Sequence, residues 1–255
     1  MFLDTKPDYD KCVERVCAWF NAEIIDRVPV RFHRHNAEYD HIIGNSGHAS
    51  LRDRWMDAEF QASSFLGSVK GKTFLGETFP VYMPNLGPNF FAAIHGAELE
   101  FGETTTWCEP SVTWMNLPVP NGRMHIPSND FSFMISPELF SKYALQTLKN
   151  EISTMTHNVF HVDGQGVANH TDDILSTGIK AIQWVQGVAD DYPVMQHVPY
   201  IKYLQSKGAS VIVDLDLVDL DKFIHEVAPK GIFLWIATAN REQEVMVLKK
   251  LMRWK

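Results

Sequence analysis

Apolar positions along this chain recur in two alternating periods. Val13, Val16, Cys17 and Phe20 fall at helical spacing over residues 9–20. After the polar break Asp26-Arg27, the short run Val28-Pro-Val-Arg-Phe32 reads as a strand. Trp55, Met56 and Phe60 give residues 52–66 a helical period. Residues 76–87, rich in Pro, Gly and aromatic side chains, read as a strand leading into a long loop, with a helix over 88–95.

The second half alternates more regularly. Strands are expected over 130–135, 158–162, 180–185, 210–215 and 231–237. Helices are expected from Ser136-Pro137-Glu138 to about 154, around 197–207, around 220–227 and over 241–253. Ser136 has the chemistry of an N-cap, and Pro137 suits the first helical position because its ring presets φ and it lacks an N–H to leave unpaired. Short apolar runs alternating with helices are the mark of parallel βα units. The expected fold is therefore α/β, a TIM-type (β/α)8 barrel with its site at the strand C-termini. About seven strands can be counted, one short of the eight that closure needs. Residues 109–129 hold four prolines and no helical period, so the missing βα unit is expected there.

Composition narrows the class. With 255 residues, 45% hydrophobic and 21% charged, the chain suits one barrel-sized globular domain over 1–255. A net charge of −8 with scattered basic residues argues against a nucleic-acid partner, since phosphate binding needs a concentrated basic face. The longest apolar stretches, such as 232–237, fall far short of the roughly 20 residues that cross a bilayer. The N-terminus lacks a basic-then-apolar signal, so no membrane association and a cytoplasmic location are expected. Cys12, Cys17 and Cys108 make an odd set without zinc-finger spacing, as in a reducing compartment.

In a parallel βα architecture the reactive groups follow the strands. His161 and Asp163, two apart on an expected strand, project to the same side, and an imidazole beside a carboxylate makes an acid/base pair or two ligands of a metal. The same residues also suit a plain structural part, with Asp163 capping the next turn and His161 satisfied in the interior. Gln183 and Trp184 offer an amide and a large ring for a small polar or planar ligand, against core packing for Trp184. His33 follows the first strand, with His35 beyond it. Asp214 and Asp216 alternate on another, where a solvated acidic rim is the plainer reading. Asn85 precedes an expected helix start whose N–H groups could receive an anion. No Walker loop, Gly-x-Ser-x-Gly elbow or Gly-x-Gly-x-x-Gly occurs, so nucleotide chemistry has no support.

Several segments in order resemble the uroporphyrinogen decarboxylase superfamily: Pro84-Asn-Leu-Gly-Pro88, Glu98-Leu-Glu-Phe-Gly102, Asp130-Phe-Ser-Phe-Met-Ile-Ser-Pro-Glu138, Phe160-His-Val-Asp-Gly164 and Ile182-Gln-Trp-Val-Gln-Gly187. The resemblance spans residues 19–252 and is nearest to the uroporphyrinogen decarboxylase-like, or corrinoid-linked methyltransferase, branch. It implies a (β/α)8 barrel. True decarboxylases of the family grip substrate carboxylates with an Arg-Gln-Ala-Gly-Arg type segment, and Arg31-Phe-His-Arg-His35 stands near that place without the motif. The methyltransferases bind zinc through His-x-Cys and a distant Cys; here His161 matches the histidine, Asp163 replaces the first Cys, and the strand around Trp235 supplies no second. A thiolate-rich zinc site is thereby excluded, and a His and carboxylate site remains.

The leading expectation is a methyltransferase moving a methyl group between a small methylated substrate and a corrinoid or thiol acceptor, with His161 as metal ligand or base and Asp163 as its partner. Zinc and a corrinoid carried by a partner protein are the implied cofactors. The rivals are a lyase, namely a cofactor-free decarboxylase of a polycarboxylate or tetrapyrrole held by residues such as Arg31 and Arg34, and a non-catalytic binding protein. The family's third βα unit should fall near 109–113, and a sheet left open by its loss is expected to pair with a second copy as a homodimer.

Overall fold

The computed structural model describes residues 5–33, 46–82, 99–103, 106–107, 124–153, 155–185 and 194–254. In chain order these form α1 (Tyr9–Phe20), β1 (Val30–His33), α2 (Leu51–Met56), α3 (Ala58–Val69), the short strands β2 (Glu100–Phe101), β3 (Thr106–Trp107) and β4 (Met124–His125), and a 3-10 turn (Asp130–Met134). A helix α4 follows over 137–152, interrupted by a π-turn at Phe140–Ala144. Then come β5 (His157–Asp163), α5 (Gly164–Ala168), α6 (Thr171–Ser176), β6 (Ala181–Val185), α7 (Val198–Ser206), β7 (Ser210–Asp214), α8 (Leu220–Glu226), β8 (Ile232–Ala237) and α9 (Arg241–Leu251). No described helix is long and apolar enough to cross a membrane.

Five strands make a parallel sheet in the order β1-β8-β7-β6-β5, and the two-residue β4 pairs parallel beside β5. The first strand lies against the last, and the others follow in reverse sequence order. Between β5 and β8 each crossover passes through helix, as a parallel connection requires.

Strand alternation and register sort the side chains into two faces. Val30 and Phe32, Phe160 and Val162, Ile182 and Trp184, Val211 and Val213, and Ile232, Leu234 and Ile236 share one face, all buried in one cluster. Helices α4, α7, α8 and α9 cover it through Phe140 and Leu148, Ile201 and Leu204, Phe223, and Val247 and Leu251. Each such large side chain contributes about 1.5–3 kcal/mol on burial. On the opposite face Val159, Ala181, Ile212 and Phe233 pack under Val16, Trp19 and Phe20 of α1, with Ile212 and Phe233 in register with Gln183. The Trp19 indole N–H donates to the Gly231 carbonyl at 2.9 Å and fixes that helix.

Two expected strands do not form. Of residues 130–135, Asp130–Met134 are a 3-10 turn: Phe131 and Phe133 are 55% and 63% exposed while Ser132 between them is buried, so their alternation points outward. The strand of that unit is β4, prolonged by the His161 N–H to Pro127 carbonyl bond and the Ser128 bridge, and Asn129 turns the chain out of it. Described residues 76–82 also form no strand, and residues 76–78 instead lie along β1. There the Glu77 N–H donates to the Val30 carbonyl at 2.7 Å, the Glu77 carboxylate accepts the Val30 N–H at 2.7 Å, and Thr78 Oγ1 accepts the Phe32 N–H at 2.9 Å. Side chains thus satisfy an edge that a strand would otherwise pair. Gly76 is required at the approach, with φ +60 and an added Cβ only 2.5 Å from the Val30 carbonyl oxygen. The expected helix over 88–95 and the expected missing unit at 109–113 lie outside the described residues.

Candidate active site

Three strand ends build the site. His161 and Asp163 occupy alternate positions of β5 and face away from the helix layer, as do Gln183 on β6 and Asp214 on β7. His161 and Gln183 are register partners on adjacent strands, both buried, with His161 Nδ1 2.8 Å from Gln183 Oε1. An amide oxygen only accepts, so the ring donates through Nδ1, and Nε2 is the nitrogen turned from Gln183.

Asp130, from the 3-10 turn, completes the group. One ligand atom from each of Asp130, His161 and Asp163 lies within 4.8 Å of the others. Ser128 Oγ donates to Asp130 Oδ1 and orients that carboxylate. Asp163 precedes α5 without capping it through its side chain, and its carboxylate lies with the cluster. Burial raises the Asp163 pKa, the neighbouring His161 opposes the shift, and Asp130 adds to it.

A second group lies along β7, β8 and β1. Asp214, Trp235 and Arg31 are successive register partners, and the Arg31 guanidinium stacks over the Trp235 ring at 4.9 Å. Burial lowers the Arg31 pKa against the pull of Asp214. Burial, with Asp216 nearby, raises that of Asp214, while His33 and Arg31 work the other way. Among the described residues the Arg31 guanidinium makes no ion pair, and the buried Trp235 indole nitrogen has no hydrogen-bond partner. His33 belongs to this group, at the exposed end of β1.

Trp184 requires a correction. Of its two readings, a ring holding a ligand beside Gln183 or core packing, the structure shows the second: neighbouring strand residues face opposite ways, and Trp184 is 1% exposed under α7, against the His197 and Tyr200 rings. Asn85 lies outside the described residues, as do His35 and Arg34. Asp130 and Trp235 were not singled out as site residues by the sequence. The available signal for Asp130 was the turn-forming Ser128-Asn129-Asp130 just before the helix start, a poor place for a strand to begin.

The donor set of one imidazole nitrogen and two carboxylates fits zinc or a harder divalent ion with coordination positions left for substrate. It contains no thiol: Cys12 sits on α1, donates to the Gly76 carbonyl, and burial with Glu77 nearby pushes its thiol up to about 12. No family model, curated protein or solved structure matches this chain.

Proposed function

We propose that the sheet is the described part of a TIM-type (β/α)8 barrel, and that the protein is an enzyme binding one divalent metal, zinc in the first instance, through Asp130, His161 and Asp163. Its reaction on this reading is methyl transfer from a small methylated substrate to a thiol or to a corrinoid on a partner protein. The observation that carries the proposal is the convergence of the three ligand atoms within 4.8 Å at the C-terminal end of a parallel sheet. The barrel is supported by β1 lying beside β8 and by crossing helices that share one face. The methyl-transfer class comes from the family resemblance.

A bound zinc ion would act there as a Lewis acid, making a thiol acidic or polarising the methyl donor. The chain's own part is positional and electrostatic. Gln183 locks the His161 ring, Ser128 aims Asp130, and Arg31 with Trp235 presents donors to the remainder of the substrate. Elemental analysis of purified protein should give about one equivalent of zinc. His161→Ala should lose it, together with methyl transfer from a methylated thiol or amine to free cob(I)alamin, whose Co(I) supplies the electron pair of the new Co–C bond as the thiolate or amine leaves, followed by the cobalamin absorbance change. Absence of metal from wild-type protein after zinc loading would overturn the reading.

A cofactor-free decarboxylase is the second reading, favoured by the Arg31 guanidinium, desolvated and without an ion pair among the described residues. It predicts metal-independent binding of a di- or tricarboxylate that Arg31→Gln abolishes.

A further inference from the structure

The turn that carries Asp130 has little to hold it in place by itself. It contributes few bonds of its own, Ser132 N–H to Asn129 carbonyl at 3.0 Å and Ile135 N–H to Ser132 carbonyl at 3.1 Å. Phe131, Phe133 and Met134 are largely exposed, so burial of its large side chains does not anchor it. A carboxylate on such a turn would sample many positions unless other elements fixed the backbone.

Two residues after β5 do so. His170, buried, donates from Nε2 to the Ser132 carbonyl at 2.8 Å. Its ring stacks on the fully buried Phe140 with centroids 4.4 Å apart and an interplanar angle of 17°, which anchors the donor in the core. Gly166, in α5, lets the turn approach so closely that an added Cβ would stand 2.6 Å from Phe133 Cβ and 3.1 Å from its Cα. Since β5 runs directly into α5, the segment that supplies His161 and Asp163 also supplies both contacts that locate Asp130.

We infer that His170 and Gly166 are positioning residues that hold the 130–134 turn so that Asp130 meets His161 and Asp163. The inference rests on the proposal that Asp130 is a ligand. Supporting groups behind metal ligands typically change affinity 10- to 100-fold when removed, because a ligand left free to move must be ordered on binding.

The test compares wild-type full chain with His170→Leu, His170→Gln and Gly166→Ala by zinc titration calorimetry, thermal unfolding and amide hydrogen exchange over residues 130–135. His170→Leu and Gly166→Ala should weaken zinc binding by about tenfold or more and lose protection over 130–135, with β5 and β6 still protected. His170→Gln, whose side-chain amide can donate to the same carbonyl, should recover most of the affinity. A lowered Tm with zinc affinity and protection intact would mean a merely structural role and would overturn the inference. If wild type binds no zinc, the metal proposal fails by itself, and protection decides alone: lost in the variants, the positioning stands; unchanged, it falls. Should His170→Leu fail to fold, the milder His170→Gln and Gly166→Ala carry the same comparison.

Discussion

His161 and Gln183 show what one strand position decides. Their hydrogen bond ties Nδ1 and leaves Nε2 to the proposed metal, so Gln183→Leu should weaken zinc binding by about tenfold without removing a ligand, a difference calorimetry can read. Adjacent on the same strand, Trp184 should behave in the opposite way. Trp184→Ala is expected to lose about 3–5 kcal/mol of stability in denaturant titration, as large-to-small core changes do, and to leave zinc affinity unchanged in the folded fraction. The pairing of His161 with Asp163 was legible because strand side chains repeat every second residue. That rule also forbids Gln183 and Trp184 from facing one ligand together, so the error at Trp184 came from reading chemistry without applying the period. Charge on α1 gives a further test. Arg15 donates to both Asp26 oxygens at 2.7 Å, and this hydrogen bonding holds the Asp26 carboxyl down at about 2. A depressed folded pKa means stability present above the unfolded value near 3.8 and lost as pH falls towards about 2. Asp26→Asn should therefore flatten the acid limb of the stability curve between those values and lower Tm at neutral pH.

Among the elements, those with unambiguous periodicity were legible: α1, α4 from its Ser136 cap onward, β5 to β8 and α9 all stand near their expected positions. The misread elements have short-range alternation that does not report burial. Phe131 and Phe133 alternate with polar residues as a strand would, yet only the buried Ser132 faces inward, and no local signal tells an outward-facing pair from an inward one. Residues 76–78 were unreadable for another reason, because their role depends on partners about fifty residues away. Glu77, fully buried, accepts from Arg27 at 2.7 and 2.8 Å, from Arg15 at 3.2 Å and from the Val30 backbone at 2.7 Å. Breaking such a buried group from one side leaves uncompensated charge, which costs about 3–5 kcal/mol. Glu77→Gln removes the negative charge between two guanidinium groups and presents N–H donors to N–H donors. It should lower stability by that amount in urea titration and expose the β1 amides to hydrogen exchange. A stability within about 1 kcal/mol of wild type would show that the edge is held by backbone pairing alone.

At the scale of the molecule, one sheet face carries two different regions that meet where Gln183 on β6 pairs in register with Ile212 on β7. Under α1, Trp19 and Phe20 seal an apolar layer with Val159, Ala181, Ile212 and Phe233; beyond it, buried His161 and Gln183 lie on the same face as the partly buried Asp163 and Arg31. Stability and chemistry should therefore respond separately to mutation. Trp19→Ala opens a cavity beside Phe233 and Ala181 and removes the bond to Gly231, an expected loss of about 3–5 kcal/mol. At a temperature where it remains folded, its zinc affinity should equal that of wild type. Asp163→Asn should do the reverse. Burial raises the Asp163 pKa, so the folded state holds that proton more tightly than the unfolded chain, and the group's contribution to stability declines as pH rises from the unfolded pKa through the folded one. Above that window the ionised carboxylate works against folding in the metal-free protein, and replacing it with a neutral amide should raise Tm at neutral pH while zinc binding is lost. Such an exchange of stability for a charged site is what a functional position shows and a structural one does not. A lower Tm for Asp163→Asn in metal-free protein, or unchanged zinc affinity, would place Asp163 among the residues that hold the fold and remove it from the site.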